Sequence, residues 1–248
     1  MARAPRPVRR VERHPDAAVD VTAWPDSVPA VTQLLTRGLD LPAGVTFLVG
    51  ENGAGKSTVV EAVAEAVGAH REGGSSAHLA GVDRGDHEDT SDLAGRLRVV
   101  RSGGGRRGAF FLRAETMHRF YSYLDETYAD VRDHRPPHHL RSHGESFLGV
   151  LGTKRWFRDA GVVLLDEPES ALSFDNCLLL AGSLARMAAD GKQVLCATHS
   201  PLLTALPGAN VLQLDEHGMT PVAWEELAVV RNWRFFLDAP ERFLRHVL

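Results

Sequence analysis

Gly50-Glu51-Asn52-Gly53-Ala54-Gly55-Lys56-Ser57 fits the pattern G-x-x-x-x-G-K-[ST] and runs on into Thr58. Glycines at 50, 53 and 55 let the backbone bend tightly and bring its N–H groups against phosphate oxygens. Lys56 supplies a mobile cation for β- and γ-phosphates, and Ser57 a hydroxyl ligand for Mg2+. A second chemical pair, Asp166-Glu167, ends the apolar run Val162-Val163-Leu164-Leu165. A buried strand that delivers two adjacent carboxylates is expensive unless they have work to do. Asp166 suits Mg2+, directly or through water, and Glu167 suits a general base acting on an attacking water. A strand end with an ordinary acidic turn is the plainer reading. His199, taken alone, reads as a hydrogen-bonded histidine at a strand end.

The elements around these residues support the sharper readings. Val45-Thr46-Phe47-Leu48-Val49 is a short β-branched apolar run bounded by Gly44 and Gly50, which predicts a buried strand. From Ser57 to Val67, apolar residues recur at helical spacing (Val59, Val60, Val63, Val67). The cradle therefore lies between a strand and a helix whose positive end faces the same place. Further strands are expected at Val162–Leu165, Gln193–Ala197 and Val211–Leu214, with a helix over Ala171–Asp190 ending at Gly191. Glu216-His217-Gly218 reads as a tight turn into a strand near Val222-Ala223-Trp224. The tail from Trp233 to Leu248 reads as helical. Residues 1–44, with six prolines, suit short strands and turns rather than long helices. Residues 70–108, rich in Gly, Ser, Asp, Arg and His, read as a loose insertion around a weak strand at Leu97–Arg101. Residues 109–159 read as a mostly helical subdomain. Strands alternating with helices imply an α/β fold with a mostly parallel sheet, organised as a single domain over 1–248.

The bulk numbers set limits. A chain of 248 residues, 44% hydrophobic and 24% charged, can bury a substantial core. Its net charge of −4 gives no global basic field, so nucleic acid is unsupported as a partner. The arginines at positions 3, 6, 9, 10 and 13 read as a solvated tail or edge strand, or else as a partner-binding arm. Cys177 and Cys196 form neither a disulfide framework nor a zinc pattern, which suits a reducing cytosol. No apolar segment follows the leading arginines as a signal peptide would require. The stretch Gln193 to Leu214, free of Asp, Glu, Lys and Arg, holds His199, two prolines and Asn210, so it reads as strand, loop and strand rather than a membrane span. A cytoplasmic location is the expectation, with any membrane connection through a separate partner.

At these residues a family resemblance enters. Leu164-Leu165-Asp166-Glu167-Pro168, followed by Ser170-Ala171-Leu172, resembles the Walker B motif and D-loop of ABC-type ATPases. Ala197-Thr198-His199-Ser200 resembles their H-loop, whose histidine touches the γ-phosphate, and Ser142-His143-Gly144-Glu145-Ser146 resembles their signature motif. All follow the cradle, here the P-loop, in the family's order. From Phe110 onward the chain is also similar to small stand-alone bacterial ATPases of the ABC/AAA-like type, in FFLRAE, SHGES, LLDEPE, ATHSP and ERFLRH. Ser142 with Glu145 three residues later is a capping box that would start a helix able to face an anion, or simply cap it. The resemblance implies that Ser142, Gly144 and Glu145 serve the nucleotide of a second copy in a head-to-tail homodimer with two ATPs at its interface. It also implies an ABC-type P-loop fold with an antiparallel N-terminal β part and a helical subdomain carrying the signature.

Three departures qualify the match. No Gln occurs between Lys56 and Ser142, where the family carries its Q-loop glutamine, so Glu115 or another residue of Arg113-Ala114-Glu115 would have to replace it. Ser173 stands where a D-loop Asp is common, and His143 where Gly is common in transporters. Trp24, upstream of the P-loop, could stack on adenine or pack in a core or turn. The expected function is an ATPase that binds MgATP, dimerises on it and hydrolyses it to drive a mechanical task for an unknown protein partner. The rivals are the ATP-binding subunit of an ABC transporter with a membrane partner, a DNA-repair or defence ATPase, and a nucleotide switch without turnover.

Overall fold

The computed structural model describes residues 6–69, 74–75, 92–103, 108–113, 160–245 and 247. The main sheet is built on β3 (Gly44–Gly50), β7 (Ala160–Asp166) and β8 (Gln193–Thr198), which are apolar along nearly their whole length because both faces are covered. On one face Leu48, Leu164 and Leu195 join a core with α1 (Pro29–Arg37) and α2 (Lys56–Ala66). On the other, Phe47, Val49, Val163, Leu165 and Cys196 pack against α3 (Phe174–Ala189) and Val230 of α4 (Ala228–Asp238). The alternation along each strand follows the two-residue side-chain period of β structure.

Among the described residues the main sheet has seven strands, in the order β10-β9-β3-β8-β7-β6-β4. Strands β9 (Asn210–Asp215), β3, β8, β7 and β6 (Gly108–Arg113) run parallel. Strands β10 (Gly218–Pro221) and β4 (Gly74–Ser75) are antiparallel additions at the edges. Strand β8 lies between β3 and β7, so the C-terminal ends of three neighbouring strands converge. In open α/β sheets that is the edge where ligands bind.

A second, antiparallel sheet of order β2-β1-β5 is formed by β1 (Val8–Arg13), β2 (Leu39–Asp40) and β5 (Leu97–Arg101). It is tied to the main sheet by Gln193, whose buried side chain accepts from Val8 N at 2.7 Å and whose two Nε2 hydrogens are shared among the carbonyls of Val8, Leu41 and Pro42, each 2.8 Å away.

Several expectations need correction. The proline-rich N-terminal region holds a helix, α1, because Pro29 stands in its first turn, where a missing N–H costs nothing, and Ala30, Val31, Leu34 and Leu35 share a buried face. Of the early arginines, Arg9, Arg10 and Arg13 are on the central strand of the small sheet, not a tail or an edge. Arg10 pairs with Glu12 at 2.8 Å and Asp40 at 2.9 Å. The segment read as helical from 109 opens instead as β6, because Phe110, Phe111 and Leu112 bury both faces of a strand beside β7. After the Glu216-His217 turn the last strand stops at Pro221, and Trp224–Glu226 is a 3-10 turn held by Trp224 Nε1 donating to Pro201 O at 2.8 Å. The C-terminal helices begin at Ala228 and, after Ala239, at Pro240, where α5 (Pro240–Leu244) starts. Helix α3 begins at Phe174, capped by Ser173 Oγ accepting from Asn176 N. Ser142, Gly144, Glu145 and Glu115 lie outside the described residues.

Candidate functional site

Strand β3 runs directly into the glycine-bearing loop, and α2 starts at Lys56. Gly53 and Gly55 take φ of 81° and 88°, a left-handed conformation that disfavours any side chain. Gly55 is also crowded: a Cβ there would stand 2.7 Å from Val28 Cγ1. At Gly50 it would stand 2.5 Å from the Leu214 carbonyl oxygen. Among the described residues no side chain caps the first turn of α2, so its N–H groups and dipole point outward, as an anion site requires. Glu51, Asn52 and Gly53 are exposed, whereas Lys56 is 4% exposed and its ammonium donates to Glu51 O at 2.9 Å. Burial lowers the Lys56 pKa, against the nearby carboxylates of Glu167, Asp166 and Glu169, which raise it.

Ser57 Oγ donates to Asp166 Oδ1 at 2.9 Å across α2 and β7. The structure thus brings together two residues 109 positions apart that the sequence assigned to one cation. Asp166 is 2% exposed, and burial raises its pKa to about 6, with smaller effects from Ser57 and Arg113 (lowering) and Glu61 and Glu167 (raising). Two adjacent hard oxygens on a desolvated carboxylate and a hydroxyl fit Mg2+, which keeps most of its shell for phosphate and water. Among the described residues no cluster of three or more His, Cys, Asp or Glu side chains could cage a metal alone. The arrangement suits a metal that arrives with a phosphate.

Glu167 is the only non-glycine residue with positive φ among the described residues, at φ 46° and ψ 48°. That backbone is uncommon away from Gly, Asn and Asp, and strained backbones of this kind cluster at functional sites. Its N–H donates to Ala197 O at 3.0 Å, which fixes the turn to β8. Glu167 Oε1 and His199 Nε2 lie 3.2 Å apart, a hydrogen bond that an imidazole protonated on Nε2 makes. His199 N donates to Glu169 Oε1 at 2.5 Å, while Glu169 Oε2 is buried without a partner among the described residues. Glu169 and Glu61 were not singled out from sequence. Glu61 stands one helical turn beyond Ser57, a spacing that puts both on the face looking toward β7. Arg113, named earlier only as part of a Q-loop substitute, reaches Glu61 and Asp166.

Trp24 is 60% exposed, which rules out a core role. Its segment leads to Val28, which lies against Gly55. Cys177 and Cys196 are free and buried. A groove of about 550 Å³ lined by Gln33, Asp40, Thr46, Asn210 and Pro221 shares no residue with this site.

A glycine loop between strand and helix, a carboxylate pair one strand removed and a histidine just past the end of the strand between them define a P-loop nucleotide-binding protein. A family model described as "AAA domain, putative AbiEii toxin, Type IV TA system" matches residues 146–205. The ribose import ATP-binding protein RbsA of Jannaschia sp. (strain CCS1) is 30% identical over 206 residues, covering 74% of this chain and 38% of the relative. Ribose import ATP-binding protein RbsA 1 of Rhizobium meliloti (strain 1021) is 33% identical over 197 residues, covering 70% and 37%. The chain therefore spans less than two fifths of the length of these relatives. The structure of cbiO1 from Clostridium perfringens, part of the ABC transporter complex cbiONQ, superposes with a TM-score of 0.51 at 15% identity, covering 98% of this chain and 99% of that one. At that identity the likeness is one of fold. Motifs, sheet order and these matches together support a P-loop fold of the ABC/AAA type, and the chain is similar to ATP-binding proteins of that class.

Proposed function

We propose that this chain binds MgATP at Gly50–Thr58, hydrolyses it, and joins head-to-tail with a second copy while ATP is bound, so that the cycle drives a mechanical change in a partner protein. The observation that carries the reading is the meeting of distant motifs at one sheet edge: Ser57 with Asp166 at 2.9 Å, and Glu167 with His199 at 3.2 Å. Lys56, the loop N–H groups and the start of α2 hold the phosphates. Ser57 and Asp166 would hold Mg2+, which when bound neutralises charge developing on the phosphate oxygens. Glu167 would orient and deprotonate the attacking water, and His199, hydrogen-bonded to it, would sense the γ-phosphate. Ser142, Gly144 and Glu145 would complete the site of the opposite copy.

The test is Glu167→Gln, which keeps the shape of the side chain and removes the base. Phosphate release should fall by two orders of magnitude or more, and with MgATP the protein should elute at twice its monomer mass. Unchanged phosphate release refutes the role of Glu167, and a mass that stays monomeric with bound ATP refutes the dimer. The names of the ribose-import relatives favour a second reading, an ATP-binding subunit working beneath a membrane partner. No helix among the described residues is long and apolar enough to cross a membrane, so such a partner would be a separate chain or segment. Capture of an integral membrane protein by the Glu167→Gln form in ATP would select that reading.

A further inference from the structure

Arg113 closes β6, and the parallel register sets it directly beside Asp166 at the end of β7. Its Nε lies 3.4 Å from Asp166 Oδ2, while its Nη1 lies 2.6 Å from Glu61 Oε1. The other Asp166 oxygen accepts from Ser57. The carboxylate suited to Mg2+ therefore already has a cationic neighbour, supplied by the chain itself. Two cations cannot both approach one buried carboxylate without repelling each other, and the repulsion is strongest where water is excluded. A glutamine in this region, as the ABC-type pattern expects, carries no charge and would not compete in this way. Arginine never gives up its proton, so only movement can relieve the conflict.

We propose that Arg113 is a positioning residue that competes with Mg2+ for Asp166 and is held on Glu61 when the metal enters. This rests on the reading of Ser57 and Asp166 as the magnesium pair. The distances set the direction of the exchange: the 2.6 Å pair with Glu61 is kept, and the longer contact with Asp166 is the one released. Glu61 is one turn from Ser57 on the rigid start of α2, so the guanidinium stays at the rim of the site after it yields. The result is a protein whose metal loading is opposed from within and whose Glu61 sets how strongly.

Magnesium is titrated against the full chain at pH 8 with a fluorescent ATP analogue at fixed concentration, and binding rather than turnover is read. In Arg113→Gln the half-saturating Mg2+ concentration should fall about three- to fivefold, the range expected for a partly exposed ion pair. In Glu61→Gln it should rise by a similar factor, because Arg113 then has Asp166 to itself. An unchanged or higher value in Arg113→Gln overturns the proposal, and so does an unchanged or lower value in Glu61→Gln. The second variant preserves size and helix propensity, so it decides the matter even if the first fails to fold. If the unmodified protein binds no analogue at any Mg2+ concentration, the phosphate-site reading itself falls, and this inference with it.

Discussion

Asp166 carries a stability cost that should be visible as pH dependence. Burial is the main reason its carboxyl titrates near 6, well above the ordinary carboxylate value of 3.8. The folded state thus holds the proton more tightly than the unfolded chain. Below about pH 4 both states are protonated and no cost exists. As pH rises from about 4 to about 6 the unfolded chain loses its proton first, so stability falls, and above 6 the penalty is constant at roughly 3 kcal/mol. In metal-free buffer, urea unfolding free energies of the wild type should decline across that window. Asp166→Asn, which keeps shape without charge, should remove that decline and gain stability at pH 7. Equal pH slopes in the two proteins would show that Asp166 is charged and well solvated, contrary to its burial.

The loop at Gly50–Thr58 was legible from sequence because everything that defines it is local: an apolar run, three glycines, a lysine and a helical repeat. What was missed is non-local. Helix α1 hid in a proline-rich stretch because Pro29 falls where proline starts a helix rather than breaking one. Strand β6 was read as helical because Phe110-Phe111-Leu112 is too short for its period to decide, and only its pairing with β7 makes it a strand. The Arg113–Glu61–Asp166 contacts depend on that same pairing, so no spacing along the chain announced them. The site's dependence on α1 was equally hidden, since Val28 leads into α1 yet touches Gly55. The two left-handed glycines therefore separate backbone from packing. A Cβ at Gly53 meets nothing within 4 Å, so Gly53→Ala should cost about 1 kcal/mol, the conformational term alone. Gly55→Ala adds the clash with Val28 and should cost about 2–4 kcal/mol in chemical denaturation. Equal losses in the two variants would mean that the chain before α1 does not bear on the phosphate loop.

Ligand binding and global stability are coupled here through the sheet. The phosphate loop hangs from β3, the carboxylate pair from β7 and His199 follows β8, and these are adjacent strands sharing two cores. A ligand that bridges their ends binds only when all three are in place, so it stabilises the whole folded state rather than one loop. At a hundred times its dissociation constant MgATP should add about 2.7 kcal/mol. In a protein of this size each kcal/mol is worth about 2–4 °C, so the melting temperature should rise by roughly 5–10 °C. Lys56→Ala should abolish most of that rise. It removes the buried ammonium that faces Asp166, Glu167 and Glu169, so a triphosphate would meet three carboxylates with only backbone N–H groups and the helix end to offset them. A variant melting several degrees from the wild type without ligand does not confuse the result, because the quantity compared is the shift within each protein. An undiminished shift in Lys56→Ala would mean that the stabilising ligand sits elsewhere in the molecule, and that the convergence of these three strand ends serves packing rather than phosphate.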